Sequence, residues 1–176
     1  MGFFPNSHAT YSPSCALHRH TAFSHNPADL SQIEGALASK FRNAGQTCVC
    51  ANRIFVHASV YTAFRDRLVA RVKGLVVGNG MHAGVSVGPL ISGDALSRVE
   101  AWVAEAVAGG ARVLAGGARV PAGGGLGVTA AGHFYAPTVV EAVPRDCALA
   151  RDEIFGPVVR CVCGRAAAAC SHGSSA

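Results

Sequence analysis

Residues 41–50 read FRNAGQTCVC, which places two thiols, Cys48 and Cys50, one residue apart behind a Gly-Gln pair. Such a pair can be a metal clip, a disulfide, or a reactive nucleophile with a neighbouring thiol. Paired zinc ligands usually have about two to four residues between them, so this spacing fits poorly and we expect no metal site. A disulfide over so short a span would be strained and therefore a reversible redox event. Two ordinary buried cysteines are the simplest alternative, because thiols are common in protein cores.

The composition of the whole chain limits the kind of protein that carries this segment. The chain has 176 residues, 50% of them hydrophobic and 14% charged, which predicts one globular domain with a sizeable core. The net charge of +5 is mild and the arginines are scattered, so we expect no nucleic-acid partner. No apolar stretch reaches the roughly 18 residues of a membrane span, so we expect a soluble protein. An odd count of seven cysteines favours free thiols in a reducing compartment.

The segments on either side of FRNAGQTCVC predict a helix followed by a strand. Upstream, apolar residues recur at helical spacing: Leu30, Ile33, Leu37 and Phe41. Asn26 or Asp29 is the expected cap of this helix, and Gly45 its expected end. Downstream, the run RIFVH at 53–57 is apolar and bounded by polar residues, which predicts a buried strand.

Two further helices are predicted beyond that strand. The first has an apolar face at near-helical spacing: Val60, Phe64, Leu68, Val72 and Leu75. It is expected to stop at the GNG run, residues 78–80. The second has the same kind of face: Leu96, Val99, Val103 and Val107. Ser92 or Asp94 is its expected cap, and Gly109-Gly110 is expected to close it.

The remaining segments complete an alternation of helices and short strands. Residues 112–115 and the TVVEAV run at 138–143 are strand candidates, and the glycine-rich stretch 116–132 is interpreted as a surface connector. Alternation at this spacing predicts an α/β fold with parallel strand pairing and helices on the faces of the sheet.

Three regions are expected along the chain. Residues 1–26 are interpreted as an irregular arm, residues 27–160 as the folded domain, and residues 161–176 as a low-complexity tail outside the fold. The arm holds one arginine and no acidic residue, but it lacks the repeated arginines of a transit segment. No convincing targeting segment is therefore predicted.

The wider passage FRNAGQTCVCANRIFV at 41–56 resembles the active-site signature of the aldehyde dehydrogenase superfamily. It is most similar to the succinate-semialdehyde dehydrogenase branch. Further matches follow in the family's order: VGNG at 77–80, VGPLIS at 87–92, GGARVLAGG at 109–117, FYAPTVV at 134–140 and DEIFGPVV at 152–159. The resemblance implies a three-layer αβα catalytic domain of the aldehyde dehydrogenase fold, incomplete and with irregular ends.

The resemblance assigns roles to three residues of the first motif. Cys48 is the implied nucleophile, which forms a thiohemiacetal with an aldehyde and, after hydride leaves for the nicotinamide, a thioester that water hydrolyses. Arg42 is expected to hold the acid group of a semialdehyde through two parallel hydrogen bonds. Cys50 is expected to be a second thiol whose reversible bond to Cys48 gives an oxidised, inactive state. Without the resemblance, Arg42 would be interpreted as a solvated helix residue.

The last motif implies contacts with the cofactor, NAD or NADP. Glu153 is expected to hold the hydroxyls of the nicotinamide ribose, and Phe155 to flank the nicotinamide. Without the resemblance, Glu153 would be interpreted as an exposed acid and Phe155 as a core residue. The family's glycine motif, oxyanion asparagine, general-base glutamate and most of its cofactor site precede the segment in which the resemblance begins.

The implied function is the oxidation of succinate semialdehyde to succinate with NAD(P), as in GABA catabolism. The family is homo-oligomeric, and its members of this branch are mitochondrial or cytoplasmic. A general base typically contributes a factor of about 100 to 10,000, so we expect the isolated chain to turn over very slowly or not at all. The alternative is a non-catalytic module that docks onto a full-length relative. The choice between NAD and NADP, the oligomeric state and the compartment stay open.

Overall fold

A computed structural model of the chain describes residues 21–24 and 30–164, and a five-stranded sheet organises them. The strands are β1 Thr21–Ser24, β2 Arg53–His57, β3 Arg112–Ala115, β4 Thr138–Glu141 and β5 Val158–Gly164. Their order across the sheet is β1-β2-β5-β4-β3. The first three neighbouring pairs are parallel, and β3 pairs antiparallel with β4. The central strand is therefore β5.

Helices cover both faces of this sheet. They are α1 Leu30–Phe41, α2 Tyr61–Lys73, α3 Gly93–Ala108 and α4 Ala148–Arg151, and a 3-10 turn at Arg42–Gly45 follows α1.

Alternate residues of β4 show which face of the sheet each helical layer covers. Tyr61 of α2 donates a hydrogen bond to Glu141 at 2.7 Å, so α2 lies on the face of Glu141. Val140 projects to the opposite face, beside its register partner Arg160. Cys147, the residue before α4, lies near Arg160, and α4 contacts α3. The predicted three-layer αβα fold is therefore confirmed.

The buried faces of the helices follow the predicted spacing, with one exception in α3. In α1, the residues Ile33, Leu37 and Phe41 are all buried, as is most of the predicted face of α2. In α3, Val107 is 45% exposed, whereas Ala106 is fully buried. The last buried residue of α3 therefore follows Val103 by three positions, whereas a spacing of four was predicted. Ser92 caps α3, since its hydroxyl accepts a hydrogen bond from the amide of Ala95 at 3.2 Å.

Two predictions about connections are wrong. The second helix ends at Lys73, well before residues 78–80, because the intervening segment forms bridges between Val77 and Val87 and between Gly78 and Leu126. Parallel pairing fails at one edge of the sheet, where β3 and β4 are antiparallel. The connector between these strands contains no crossover helix in the described structure, so it returns the chain in the opposite direction.

The sheet extends beyond both expected ends of the folded domain. Thr21–Ser24 lies inside the expected irregular arm, yet it forms β1 and pairs with β2. β5 continues to Gly164, so the expected tail from residue 161 begins within the central strand, where Cys161 pairs with Ile54. Asn26 and Asp29, the expected caps of α1, lie outside the described residues. No helix among the described residues is long and apolar enough to cross a membrane.

Candidate active site

The two most specific motifs meet at one edge of the sheet. Residues 42–52 lead into β2 and residues 152–157 lead into β5, and these strands are parallel neighbours. Because parallel strands start at the same edge, both segments lie side by side there. Gly45 and Gly156 approach closely: a Cβ on Gly45 would overlap the carbonyl oxygen of Gly156 and lie 3.2 Å from that of Lys40.

The backbone before Cys48 is held in a conformation that side chains rarely adopt. Asn43, Ala44 and Gly45 have φ values of 50°, 53° and 73°, which are left-handed. Such strain persists where surrounding contacts hold it, and it is common at functional sites. Here the amide of Gln46 donates to the carbonyl of Asn43 at 3.0 Å, and the Asn43 side chain donates to the carbonyl of Gln46 at 3.3 Å.

The side chain of Gln46 attaches this turn to the VGPLIS loop. Its Nε2 donates to the carbonyl of Pro89 at 3.2 Å, and its Oε1 accepts from the amide of Ile91 at 2.9 Å. One amide therefore fixes the position of two segments that are more than 40 residues apart in the sequence. The sequence predicted no role for Gln46, because these partners depend on the tertiary fold.

The two thiols lie in opposite environments. The amide of Cys50 donates to the carbonyl of Thr47 at 3.1 Å, so Cys48 and Val49 are the central residues of a tight turn. Cys48 is exposed, Cys50 is 2% exposed, and both are free thiols. The Thr47 hydroxyl lies 2.8 Å from the sulfur of Cys50. The interpretation as two ordinary buried cysteines is therefore wrong for Cys48, and a disulfide is not formed.

A buried lysine lies between the two motifs. Lys40 is completely buried, and its Nζ donates to the side-chain oxygen of Asn52 at 2.8 Å. Burial lowers its pKa from 10.5 to about 8, while nearby Cys50 and Glu153 act in the opposite direction. The sequence carried a signal for this residue: Lys40 follows Ile33 by seven positions and so lies on the buried stripe of α1.

The residues of the last motif present two side chains to the surface. In the segment before β5, Glu153 and Phe155 are exposed and Ile154 between them is fully buried. Phe155 is 37% exposed, and its φ of 46° lies in the left-handed region that side chains rarely adopt. The interpretation of Phe155 as a core residue is therefore wrong.

Arg42 lies on the same turn but lines a separate groove. Its side chain is exposed at the start of the 3-10 turn, where it borders a groove of about 530 Å³ between α1 and α2. Leu37 and Phe41 form part of the floor, and an ion pair between Arg71 and Glu34, 2.8 Å long, lies along it. Cys48 is not among the residues that line this groove in the described structure.

No three His, Cys, Asp or Glu side chains cluster as a metal site would require within residues 21–24 and 30–164. The structure thus brings Cys48, Cys50, Glu153 and Phe155 to one edge of the sheet, whereas Arg42 borders the separate groove between α1 and α2.

Comparison with known proteins identifies what this arrangement is similar to. A profile of the aldehyde dehydrogenase family matches residues 22–167, a range that includes all of β1 except Thr21 and the whole of β5. Glutarate-semialdehyde dehydrogenase of Pseudomonas aeruginosa is 48% identical over 132 residues, covering 74% of this chain and 26% of the relative. Succinate-semialdehyde dehydrogenase [NADP(+)] of Escherichia coli is 46% identical with the same coverage.

Among solved structures, succinate-semialdehyde dehydrogenase from Burkholderia pseudomallei matches with a TM-score of 0.73 and 41% identity. The match covers 84% of this chain and 29% of that chain. The chain therefore spans about a quarter of the length of the curated relatives that it matches.

Proposed function

Because the chain belongs to the aldehyde dehydrogenase family, we propose that it carries the nucleophile of an enzyme that oxidises succinate semialdehyde to succinate. The observation that supports this proposal is the contrast between Cys48, exposed at the tip of a fixed turn, and Cys50, buried two residues later. A thiol at the surface can reach a carbonyl carbon, and a held turn reduces the entropy lost on reaching it.

In the proposed reaction, the Cys48 thiolate attacks the aldehyde carbon. The carbon–sulfur bond forms, and the electron pair of the carbonyl bond moves to its oxygen. The backbone N–H of Cys48 is suitably close to its own sulfur to donate to this developing oxyanion. The fixed turn around Gln46 keeps that N–H in one orientation, which is what oxyanion stabilisation requires.

The residues of the last motif fit a nicotinamide cofactor. An exposed carboxylate at Glu153 can accept hydrogen bonds from ribose hydroxyls, and the exposed Phe155 ring can pack beside a flat aromatic group. The cofactor, when bound, supplies the hydride acceptor that turns the sulfur adduct into a thioester.

The proposed substrate carries an acid group, and Arg42 is the residue proposed to bind it. The names of the relatives above share an aldehyde that also bears an acid, either succinate semialdehyde or glutarate semialdehyde. Arg42 is exposed, and a guanidinium can hold a carboxylate through two hydrogen bonds.

A chimeric enzyme tests this proposal. Residues 30–164 would replace the matching segment of the Pseudomonas aeruginosa relative, and reduction of NAD or NADP by succinate semialdehyde would be followed at 340 nm. We expect turnover that Cys48→Ala abolishes and Cys163→Ala leaves unchanged. A folded chimera with no turnover, or turnover that survives Cys48→Ala, would contradict the proposal. The isolated chain is expected to be nearly inactive under the same conditions.

A second candidate function is a non-catalytic module that docks onto a full-length relative. Two large apolar side chains favour it, since Met81 is 90% exposed and Ile91 is 84% exposed. Ile91 adjoins the Gln46 contact, so a partner that covered it would lie against the candidate active site. Stable co-purification of the chain with the relative, together with an inactive chimera, would favour this function over the first.

A further inference from the structure

One charged side chain of the central strand has two buried nitrogen atoms without acceptors. Within the described structure, the Nε and Nη1 atoms of Arg160 are buried and have no hydrogen-bond partner. An arginine stays protonated in proteins, so its charge and its N–H groups remain. Buried donors without acceptors destabilise a fold, and charged donors do so more than neutral ones. Arg160 is therefore a site at which an anion would stabilise the fold.

Two further arginines lie near Arg160. Arg53 is its register partner in β2, and paired residues of parallel strands project to the same face. Arg145 lies in the loop between β4 and α4 and is exposed. Burial lowers the pKa of Arg160 most, the positive charges of Arg53 and Arg145 lower it further, and the Cys147 thiol acts in the opposite direction. Three guanidinium groups from three separate segments therefore produce a positive potential at one place.

We propose that Arg53, Arg145 and Arg160 form a binding site for a small oxyanion, a phosphate or a carboxylate. The site lies on the sheet face that carries α3 and α4, and Cys147 lies beside it. Arg160 supplies the buried donors, Arg53 adds a positive charge from the neighbouring strand, and exposed Arg145 provides the side open to solvent. This site is independent of the proposed dehydrogenase function, because Cys48, Arg42, Glu153 and Phe155 take no part in it.

The proposal is tested by thermal unfolding of the full 176-residue chain in phosphate and in chloride at equal pH and ionic strength. A ligand that binds the folded chain raises its Tm with concentration. We expect phosphate to raise Tm by about 3 °C or more over chloride. Arg160→Met should abolish this rise, and Arg151→Met, which removes an exposed arginine of α4, should retain it. Equal Tm values in phosphate and chloride, or a rise that survives Arg160→Met, would overturn the proposal.

A second variant keeps the test valid if Arg160→Met fails to fold. Arg145 is exposed, so Arg145→Gln should fold normally, and it should require several-fold more phosphate for the same rise. An unchanged phosphate dependence in this variant would also overturn the proposal.

The same measurement in acetate distinguishes a phosphate ligand from a carboxylate ligand. A rise with phosphate alone identifies a free phosphate group as the ligand. A rise with acetate of equal or greater size identifies a carboxylate, as an acidic side chain of another polypeptide would supply. Both results support an oxyanion site, and no rise in Tm with either anion would contradict it.

Discussion

Gly45 and Gly156 meet backbone to backbone, and this contact joins the Cys48 turn to the segment that carries Glu153 and Phe155. Neither position has room for a side chain, since a Cβ on Gly156 would lie 2.6 Å from a methyl group of Val99. The contact explains how two motifs more than 100 residues apart lie together at the amino ends of β2 and β5.

Gly45→Ala should therefore destabilise the chain and separate the two motifs. The new Cβ would meet the Gly156 carbonyl, and its left-handed φ of 73° adds strain. We expect a loss of about 2 kcal/mol or more in the free energy of unfolding, measured with urea. Gly80→Ala is the matched control, because a Cβ there has no neighbour within 4 Å. Equal stability of the two variants would show that the contact is not as close as described.

Lys40 should make stability depend on pH. Its pKa is about 8 in the folded chain and 10.5 in the unfolded chain. Between these two pH values the unfolded chain therefore binds one proton more than the folded chain. Stability from this group therefore rises with pH across that window and is lowest below pH 8. Relative to Lys40→Met, the wild-type chain should gain about 1 kcal/mol between pH 7 and pH 9 in urea unfolding.

The chain provides its own control for this measurement. Lys73, the other of its two lysines, is exposed at the end of α2, and Lys73→Met should leave the pH dependence unchanged. Cys161, whose pKa is raised to about 12 by burial, titrates equally in all variants and cancels from the comparison. A wild-type curve parallel to that of Lys40→Met would mean that Lys40 is not buried as an ammonium group.

Gln46 should protect one amide of the VGPLIS loop from hydrogen exchange. The Ile91 amide donates to Gln46 Oε1 at 2.9 Å, so Gln46→Ala removes its acceptor. We expect exchange at Ile91 to become about five- to tenfold faster, as the loss of one hydrogen bond of about 1 kcal/mol predicts. Gln46→Glu keeps an acceptor oxygen and should retain the protection. If Ile91 exchanges at the same rate in all three proteins, Gln46 does not fix this loop.

Arg42 should discriminate between aldehydes in the chimeric enzyme. Arg42→Ala removes the proposed partner of the acid group, so kcat/KM for succinate semialdehyde should fall by about 10- to 100-fold. Butanal, which has no acid group, should be affected by less than about twofold. Arg151→Ala, at an exposed arginine of α4, is the control and should change neither value. Equal losses with both aldehydes would assign Arg42 a structural role.

Local patterns in the sequence predicted much of the fold. The spacing of Ile33, Leu37 and Phe41 identified the buried face of α1, and the run at 53–57 coincides with β2. These predictions succeeded because helix and strand periods are properties of neighbouring residues. The antiparallel edge strand β3 and the extension of β5 to Gly164 depend on partners far along the chain, so composition alone indicated a tail where the central strand runs.

In the candidate site, too, the sequence predicted the local features but not those that depend on tertiary contacts. The motif around Cys48 indicated which thiol to consider, but its exposure follows from the turn that Thr47 and Cys50 close. The Gln46 contacts and the arginines around Arg160 depend on tertiary pairing, and the sequence showed only scattered arginines. The assigned roles of Cys48 and Arg42 stay predictions.

The most direct test of the central claim is the alkylation rate of each cysteine by iodoacetamide, resolved by mass spectrometry in the folded chain. We predict that Cys48 reacts far faster than buried Cys50 and Cys161, and that succinate semialdehyde slows Cys48 while leaving exposed Cys163 unaffected. Butanal at the same concentration should give weaker protection. If Cys48 reacts no faster than Cys161, or if the semialdehyde protects Cys48 and Cys163 equally, Cys48 is not the nucleophile.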